Sequence, residues 1–541
     1  MASVQIELKF TGHALSNKDL LSKSDPQVFV FQRVGESENI YQGSTEKIKN
    51  NLNPVFQHSV KIDYFFEVCQ SITVLVVDID GSSSKKAYKD FGNSDIIGMT
   101  RFNLGHLLTQ PGLKAVYDLN NPNQKFAGSI IVGAEFINKS SLKAYFTMVG
   151  TKFDKKDVFG KSDPYYKVLK LNPDGTHTEV YKSEVIKETL NPTWKDESIW
   201  MDDLCNSDPN RPLRFQYYDW DRVGDHDLIG QFDTTWAAIL SPFEFQLINP
   251  KKKSSSSYTN SGTVRFENPY TAHKFNMLQF LQGGLKMDIM FAIDCTFSNG
   301  EIRHEGSLHH VKEGETNHYE KSLLELGSVL MPYNPTQQAY MYGYGARTPT
   351  GSDNPNGRRD FYDKVDHCFF FNRSGNPCPK GPEQLHEYYK KNIGMYYFDG
   401  PTNFAPIIRH ASSYVKDYSQ TNQKYMVLVI ITDGDITDME ETKEEIAKAS
   451  NLPFSIVIVG VGYESFDRMK ELDADKYPII SKETNLPVRD IVQFVPLMKV
   501  LKSGNIAKET LKEIPNQLVS HYKLANIVPN PPSIYVSPQL H

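Results

Sequence analysis

The sequence predicts a multidomain protein of β plus α/β class: two antiparallel β-sandwiches followed by a doubly wound α/β domain. Three observations carry this. One set of short motifs occurs twice, in the same order, through the first half of the chain. The segments around those motifs are short and alternating, with Gly, Asn, Asp, Pro and Ser clustered between them. Beyond about residue 275 the pattern changes to long apolar strands separated by amphipathic helical stretches, as in a parallel sheet. The expected boundaries are 1–135 and 140–272 for the sandwiches, 275–525 for the α/β domain, and 526–541 for a flexible tail containing Pro529-Asn530-Pro531-Pro532.

The elements follow in order. Val4-Gln5-Ile6-Glu7-Leu8-Lys9-Phe10 alternates as a half-buried strand does, and 28–31 and 72–77 are rich in β-branched and aromatic residues. The second sandwich repeats this plan from Leu142-Lys143-Ala144-Tyr145-Phe146 onward. Lys251-Lys252-Lys253-Ser254-Ser255-Ser256-Ser257 reads as a solvated linker or exposed hairpin tip, with an electrostatic membrane patch as the weaker alternative. The strand-like 262–266 behind it still fits the second sandwich. The stretch 285–293 is nearly continuously apolar, as suits a strand buried on both faces, and 425–432 and 454–461 are alike. Helical patterns cover 319–330, 405–418 and 438–450, and the Gly-, Pro- and Asn-rich 332–382 reads as long loops with short strands such as 367–371.

Composition narrows the function. With 59 basic and 65 acidic residues the net charge is −6, which argues against a nucleic-acid binder. The five cysteines are scattered and form no Cys-X-X-Cys, so reduced cytosolic thiols are expected rather than a disulfide scaffold or a zinc site. His304, His309, His310 and His318 have no Cys or acidic partner at ligand spacing and read as surface residues. No signal peptide, membrane span, myristoylation site or prenylation cysteine is read, so any membrane contact is expected to be peripheral.

The repeated motifs are mostly carboxylates. Lys23-Ser24-Asp25-Pro26 returns as Lys161-Ser162-Asp163-Pro164, Leu52-Asn53-Pro54 as Leu190-Asn191-Pro192, Asp78-Ile79-Asp80 as Asp219-Trp220-Asp221, and Asp95-Ile96-Ile97-Gly98 as Asp227-Leu228-Ile229-Gly230. In the second copy Asp157 and Asp163 share one loop, and Asp219, Asp221 and Asp227 another. If both loops meet at one end of the sandwich, five carboxylates converge, and they repel one another unless cations fill the cup. Calcium, with its six to eight oxygen ligands, suits such a cup. The first copy supplies Asp19, Asp25, Asp78, Asp80 and Asp95; Asp90 competes with Asp95, because Gly81-Ser82-Ser83-Ser84-Lys85-Lys86 stretches that loop. A lone aspartate would read as a turn or cap residue; the same order occurring twice argues otherwise.

The spacing Asp-(x5)-Asp-Pro, Asn-Pro-X-Trp, Asp-X-Asp-(x5)-Asp-Leu-Ile-Gly resembles the calcium-binding C2 domain. Phe56 stands in the first copy where the second has Trp194. The resemblance implies eight-stranded sandwiches that each bind two or three Ca²⁺ at one tip and dock on anionic phospholipid. Leu20, Leu21, Val158, Phe159 and Val223 are the apolar candidates for membrane contact.

In the α/β half, Asp294-Cys295-Thr296-Phe297-Ser298 follows a buried strand, Thr402 lies in a loop before a helix, and Thr432-Asp433-Gly434 ends another strand. Oxygen donors just past strand carboxyl ends lie where open α/β sheets bind ligands. They resemble the von Willebrand factor A domain and its metal-ion-dependent adhesion site, with Thr296 in place of the first serine. Hard oxygen ligands suit Mg²⁺ or Mn²⁺ at Asp294, Thr296, Ser298, Thr402 and Asp433, and the resemblance implies that an acidic group of a protein partner completes the shell. Two C2 domains followed by an A domain is the arrangement of the copines, and Ala292-Ile293-Asp294, Asn334-Pro335, Tyr344-Gly345-Ala346 and Gln493-Phe494-Val495-Pro496 support that resemblance.

The expected function is calcium-dependent phospholipid binding. The protein moves from the cytoplasm to the plasma membrane, with intracellular membranes as a further destination, and presents the A domain to protein partners in signalling or membrane trafficking. No enzymatic activity is expected, since no lipase, phosphate-loop or kinase motif is present. The alternative is a membrane-recruited enzyme acting through the A-domain metal site.

Overall fold

The computed structural model describes residues 4–19, 21–79, 96–123, 126–136, 141–155, 160–172, 175–221, 226–241, 243–353, 359–372, 378–474, 478–501 and 506–532. The chain forms two compact units. Met1–Ile137 and Asn276–His541 make one, and Asn138–Phe275 the other.

The first unit opens with β1 (Val4–His13), β2 (Pro26–Val34), β3 (Ile40–Ser44), β4 (Val60–Tyr64), β5 (Gln70–Asp78), β6 (Ile96–Asn103), β7 (Lys114–Asp118) and β8 (Ser129–Phe136). They form two four-stranded antiparallel sheets, β4-β1-β8-β7 and β3-β2-β5-β6. The alternation in β1 has its expected consequence: Ile6, Leu8 and Phe10 are buried while Gln5 and Lys9 face solvent.

The second unit repeats the plan with β9 (Leu142–Thr151), β10 (Pro164–Leu171), β11 (His177–Lys182), β12 (Thr193–Trp200), β13 (Leu213–Asp219), β14 (Asp227–Thr234), β15 (Glu244–Gln246) and β16 (Thr263–His273). Its sheets are ordered β12-β9-β16-β15 and β11-β10-β13-β14. The lysine–serine run at 251–257 therefore lies inside this sandwich, as an exposed excursion between β15 and β16; of its two readings the exposed tip holds and the linker does not.

The repeated Leu-Asn-Pro motif has a structural role. The Oδ1 atoms of Asn53 and Asn191 accept the Ala14 and Lys152 amides at 2.8 and 2.9 Å. The Gly12 and Gly150 amides donate to the Pro54 and Pro192 carbonyls, each at 2.8 Å. A Cβ on Gly12 or Gly150 would stand 2.9 Å from the facing proline ring, so glycine permits the approach. Each motif thus fastens the base of the loop that delivers Asp25 or Asp163.

The remaining part of the first unit contains β17 (Lys286–Asp294), β18 (Tyr340–Tyr344), the short β19 (Ala346–Arg347), β20 (Pro349–Asp353), β21 (Arg359–Phe361), β22 (Phe369–Phe370) and β23 (Tyr397–Phe398), then β24 (Lys424–Thr432), β25 (Phe454–Gly460) and β26 (Val492–Pro496). Its main sheet is ordered β22-β18-β17-β24-β25-β26 and is parallel except at β22. The apolar runs of β17 and β24 are buried because helices cover the sheet. One of these, His318–Leu330, starts with a capping box between Asn317 and Glu320. The helical pattern at 405–418 forms a shorter helix, Ala405–Ser413. The chain leaves β17 for β18 on one side and returns to β24 on the other, so a crevice opens at the carboxyl ends of β17 and β24.

Tyr333, beyond the helix His318–Leu330, joins this domain to the first sandwich. Its hydroxyl hydrogen-bonds that of Tyr64, and its ring lies 4.8 Å from Phe66. The contact uses the loop that enters β5, whereas Asp78 ends β5. It lies before the start of β18, whereas Asp294 ends the parallel neighbour β17. Asp25 and Asp78 on the sandwich, and Asp294 and Asp433 on the sheet, all lie at the ends remote from this contact.

Part of the expected flexible tail is docked. Gln420 Nε2 donates to Val528 O and Asn530 Oδ1, each at 2.8 Å, and Gln423 Nε2 to Val528 O at 2.7 Å. Two side-chain amides thus satisfy the backbone of a segment that has little apolar surface. Residues 533–541 lie outside the described residues.

Trp194 is fully buried in the aromatic core of the second sandwich and donates Nε1–H to Glu184 O at 3.1 Å. Trp194→Ala should destabilise that unit by about 3–5 kcal/mol, read as a lower urea midpoint. Trp194→Phe, which restores the ring type found at Phe56, should cost markedly less.

Candidate metal centres

In both sandwiches the same hydrogen bond from a backbone amide to a carboxylate ties the two carboxylate loops together. The Asp25 amide donates to Asp78 Oδ1 and the Asp163 amide to Asp219 Oδ1, both at 2.6 Å. The strand pairing explains this, since Pro26 faces Asp78 and Pro164 faces Asp219. Oδ1 of Asp25 and of Asp163 then accepts the amide of Asn50 (2.8 Å) or Glu188 (2.7 Å) from a third loop.

A lysine faces the remaining oxygen in each copy. Lys187 Nζ lies 2.8 Å from Asp163 Oδ2 and 3.6 Å from the centre of the Trp220 ring. Lys47 Nζ lies 3.6 Å from Asp25 Oδ2 and donates to Ile79 O at 3.1 Å. Burial raises the Asp163 pKa, but the hydrogen bonds from Lys187 and the Glu188 amide, with the Lys187 charge, outweigh it and hold the carboxyl below the usual range. A cation entering the cup therefore competes with an ammonium for this oxygen.

The other predicted ligands divide as follows. Asp227 pairs with Asp219 across β13 and β14, and Asp221 follows Trp220, whose amide donates to Asp163 O at 3.0 Å. Asp19 stays within its own loop, where its Oδ2 accepts the Ser22 hydroxyl at 2.5 Å. Asp80, Asp95 and Asp157 lie outside the described residues, as do Leu20, Val158, Phe159 and Val223. Leu21 is fully exposed. Sequence reasoning missed Asp154, whose Oδ2 accepts Lys252 Nζ at 2.8 Å and whose carbonyl accepts the Ser162 hydroxyl at 3.2 Å. No repeated motif marks it.

The α/β crevice gathers four of its five predicted residues in one hydrogen-bonded chain. Asp294 Oδ1 accepts the Thr296 amide (2.9 Å) and hydroxyl (2.6 Å). Thr296 Oγ1 lies 3.0 Å from Ser298 Oγ, which donates to Asp433 Oδ1 at 2.9 Å. Thr432, missed from the sequence, donates its hydroxyl to Asp294 Oδ2 at 2.7 Å. Thr402 lies in the loop after Asp399, whose carbonyl accepts the Phe297 amide at 2.6 Å. Among the described residues no hydrogen bond links the Thr402 hydroxyl to the other four.

Beneath this site sits His309, which is buried and not a surface residue as its spacing suggested. Its Nε2 lies 2.7 Å from Asp294 O, so that nitrogen carries the proton, and Nδ1 accepts from the Tyr389 hydroxyl at 2.8 Å. Burial pushes its pKa down to about 3, which keeps it neutral.

Burial raises the Asp294 pKa, and burial with repulsion from Asp294 pushes Asp433 up to about 7. Two buried carboxylates so placed accept a proton or a cation between them. Hard oxygen donors of this kind fit Mg²⁺ or Mn²⁺. Among the described residues no three His, Cys, Asp or Glu side chains form a metal-binding group. Each sandwich has predicted ligands outside the described set, and hydroxyls supply three of the five predicted oxygen donors in the crevice.

A family model described as Copine matches residues 307–530, and one described as C2 domain matches 9–119 and 147–252. Copine-C of Dictyostelium discoideum is 40% identical over 540 residues, covering 98% of this chain and 96% of that one. Copine-D of the same organism is 39% identical over 536 residues, covering 98% and 97%. A solved structure of the calcium-bound C2A and C2B domains of Extended-Synaptotagmin 2 is similar at 14% identity and a TM-score of 0.24, covering 50% of this chain and 98% of that one.

Two outcomes follow from this geometry. Lys187→Met should tighten calcium binding at the second sandwich by about two- to fivefold, since a half-exposed ion pair contributes at most about 1 kcal/mol; titration followed by Trp220 fluorescence checks it. For Asp433 the folded pKa lies above the unfolded value, so its contribution to stability is present below about pH 4 and lost as pH rises through about 7. Added Mg²⁺ should accordingly raise the melting temperature more at pH 8 than at pH 5, and Asp433→Asn should remove that difference.

Proposed function

The chain belongs to the copine family, and on that premise we propose that it is a calcium-dependent phospholipid-binding protein. In this reading it is recruited to membranes when calcium rises and presents its α/β domain to protein partners in signalling or membrane trafficking. C2 domains generally bind calcium and phospholipids. The supporting observation is the duplicated carboxylate pair, Asp25 with Asp78 and Asp163 with Asp219, built with the same distances at the loop end of each sandwich.

Asp19, Asp25, Asp78, Asp80 and Asp95 would hold calcium in the first sandwich, and Asp157, Asp163, Asp219, Asp221 and Asp227 in the second, with two or three ions in each. When bound, calcium supplies the positive charge that draws anionic headgroups to a tip otherwise rich in carboxylates. Leu21 offers an exposed apolar side chain to the headgroup layer, with Leu20, Val158, Phe159 and Val223 as further candidates. Two linked modules raise avidity above either alone. Asp294, Thr296, Ser298, Thr402 and Asp433 would hold Mg²⁺ or Mn²⁺ with a position left for an acidic partner group. The separation of Asp25 from Asp294 by the Tyr333 contact supports membrane binding and partner binding at different ends of one unit. Among the described residues no helix is long and apolar enough to cross a membrane, and the protein is read as cytoplasmic until calcium brings it to the plasma membrane or intracellular membranes. Similar full-length proteins are named copines, not enzymes, in keeping with a binding role.

Full-length protein should cosediment with phosphatidylserine vesicles in calcium and not in chelator. Asp163→Asn combined with Asp221→Asn should lower the bound fraction at least about tenfold, the loss of two charged ligands. Asp294→Ala should leave recruitment unchanged. Equal sedimentation in calcium and chelator would sink the reading.

A further inference from the structure

The excursion between β15 and β16 has no role in the reading above, yet it sits at the carboxylate end of the second sandwich. Two contacts place it there. Lys252 bonds Asp154, which adjoins Ser162 and Asp163. Asn249 Nδ2 donates to Leu228 O at 2.8 Å and to Ile229 O at 3.2 Å, directly after Asp227. Tyr258 closes the base, where its hydroxyl accepts the Asn249 amide at 2.8 Å. Residues 250–257 between these anchors are all exposed.

We propose that serines 254–257 are a phosphorylation site for a lysine-directed protein kinase, and that modification there reverses the charge of this tip and releases it from anionic membrane. Lys251, Lys252 and Lys253 each stand three residues before a serine, at 254, 255 and 256. Basic residues at a fixed distance before the hydroxyl are a charge pattern by which a kinase groove selects substrate. Opening the excursion for a kinase costs little, because it buries no side chain between its anchors. In the reaction the bond to the γ-phosphorus of ATP breaks, a serine Oγ–phosphorus bond forms, ADP leaves, and the hydroxyl proton passes to the kinase's carboxylate.

The charge balance decides the effect. Unmodified, the run presents three lysines and no acid. Each phosphate brings about −1.5 to −2, so two phosphates cancel the three lysines or slightly exceed them, and a third reverses the sign of the run. Near an anionic surface each lysine changes partitioning about fivefold, and like charges act in the opposite sense. The device belongs to the second sandwich alone. The matching connection in the first is anchored in the same way, by Asn121 on Ile96 O and Ile97 O. It carries one lysine, Lys125, and no serine or threonine before Ser129.

The proposal rests on the membrane reading, and the test separates the two. Full-length protein is incubated with ATP and the catalytic subunit of cAMP-dependent kinase, or with protein kinase C, and the phosphate is mapped by mass spectrometry. Vesicles of phosphatidylserine and phosphatidylcholine are then titrated in calcium with the unmodified protein, the phosphorylated protein, and variants in which all four serines are Ala or Asp. Phosphate is expected within 254–257. The phosphorylated protein and the Asp variant should bind at least about tenfold more weakly, and the Ala variant should bind normally and ignore the kinase. Absence of phosphate from this run, or an Asp variant that binds as the unmodified protein does, overturns the proposal. Unmodified protein that fails to bind vesicles in calcium overturns the membrane reading instead, while the phosphate map still decides the site.

Discussion

One hydrogen bond in each sandwich sets the geometry on which the rest depends. The amide of Asp25 or Asp163 reaches the carboxylate of Asp78 or Asp219, and two loops far apart in sequence become one cup. The bond exists because β2 pairs with β5, and β10 with β13, in a register that places the proline after the first aspartate opposite the second. The Leu-Asn-Pro segment fixes the base of the first loop from the other sheet. The proline of the register and the Leu-Asn-Pro segment act on loop geometry and not as proposed metal ligands, which explains why they recur with the aspartates.

The charged sites show two answers to the same electrostatic difficulty. Concentrated carboxylates repel one another, and burial raises the penalty. At the sandwich tips, lysines lean over Asp25 and Asp163 from different positions in the same connection, Lys47 in one copy and Lys187 in the other. In the α/β crevice no lysine intervenes among the hydrogen-bonded members. Thr432, Thr296 and Ser298 hydroxyls satisfy the carboxylates instead, and Asp433 retains a raised proton affinity. A cation entering either place would thus meet a competing ammonium at the tips and a competing proton in the crevice.

The first sandwich shares a compact unit with the α/β domain through Tyr64, Phe66 and Tyr333, although the sequence reading sets 1–135 and 275–525 apart as separate domains. An apolar contact between segments so distant in sequence has no periodic signature, since each aromatic reads locally as an ordinary strand-end or helix-end residue. The same holds for His309, which follows Leu308 in a mixed stretch with no clear period while its neighbours in space are Tyr319, Tyr389 and the Asp294 carbonyl.

By itself the sequence determined the two sandwiches, the parallel sheet and most of the clustered carboxylates, because alternation, apolar runs and repeated spacing are local properties of the chain. Asp25, Asp163, Asp294 and Asp433 were legible for that reason. Tertiary structure alone decided that Thr432 joins the crevice, that Lys47 and Lys187 face the tips, that Gln420 and Gln423 hold the segment around Val528, and that the lysine–serine run stands beside Asp154 rather than in a linker. Each of these is a meeting of residues from different loops, and strand register and side-chain reach set such meetings, which no single stretch of sequence encodes.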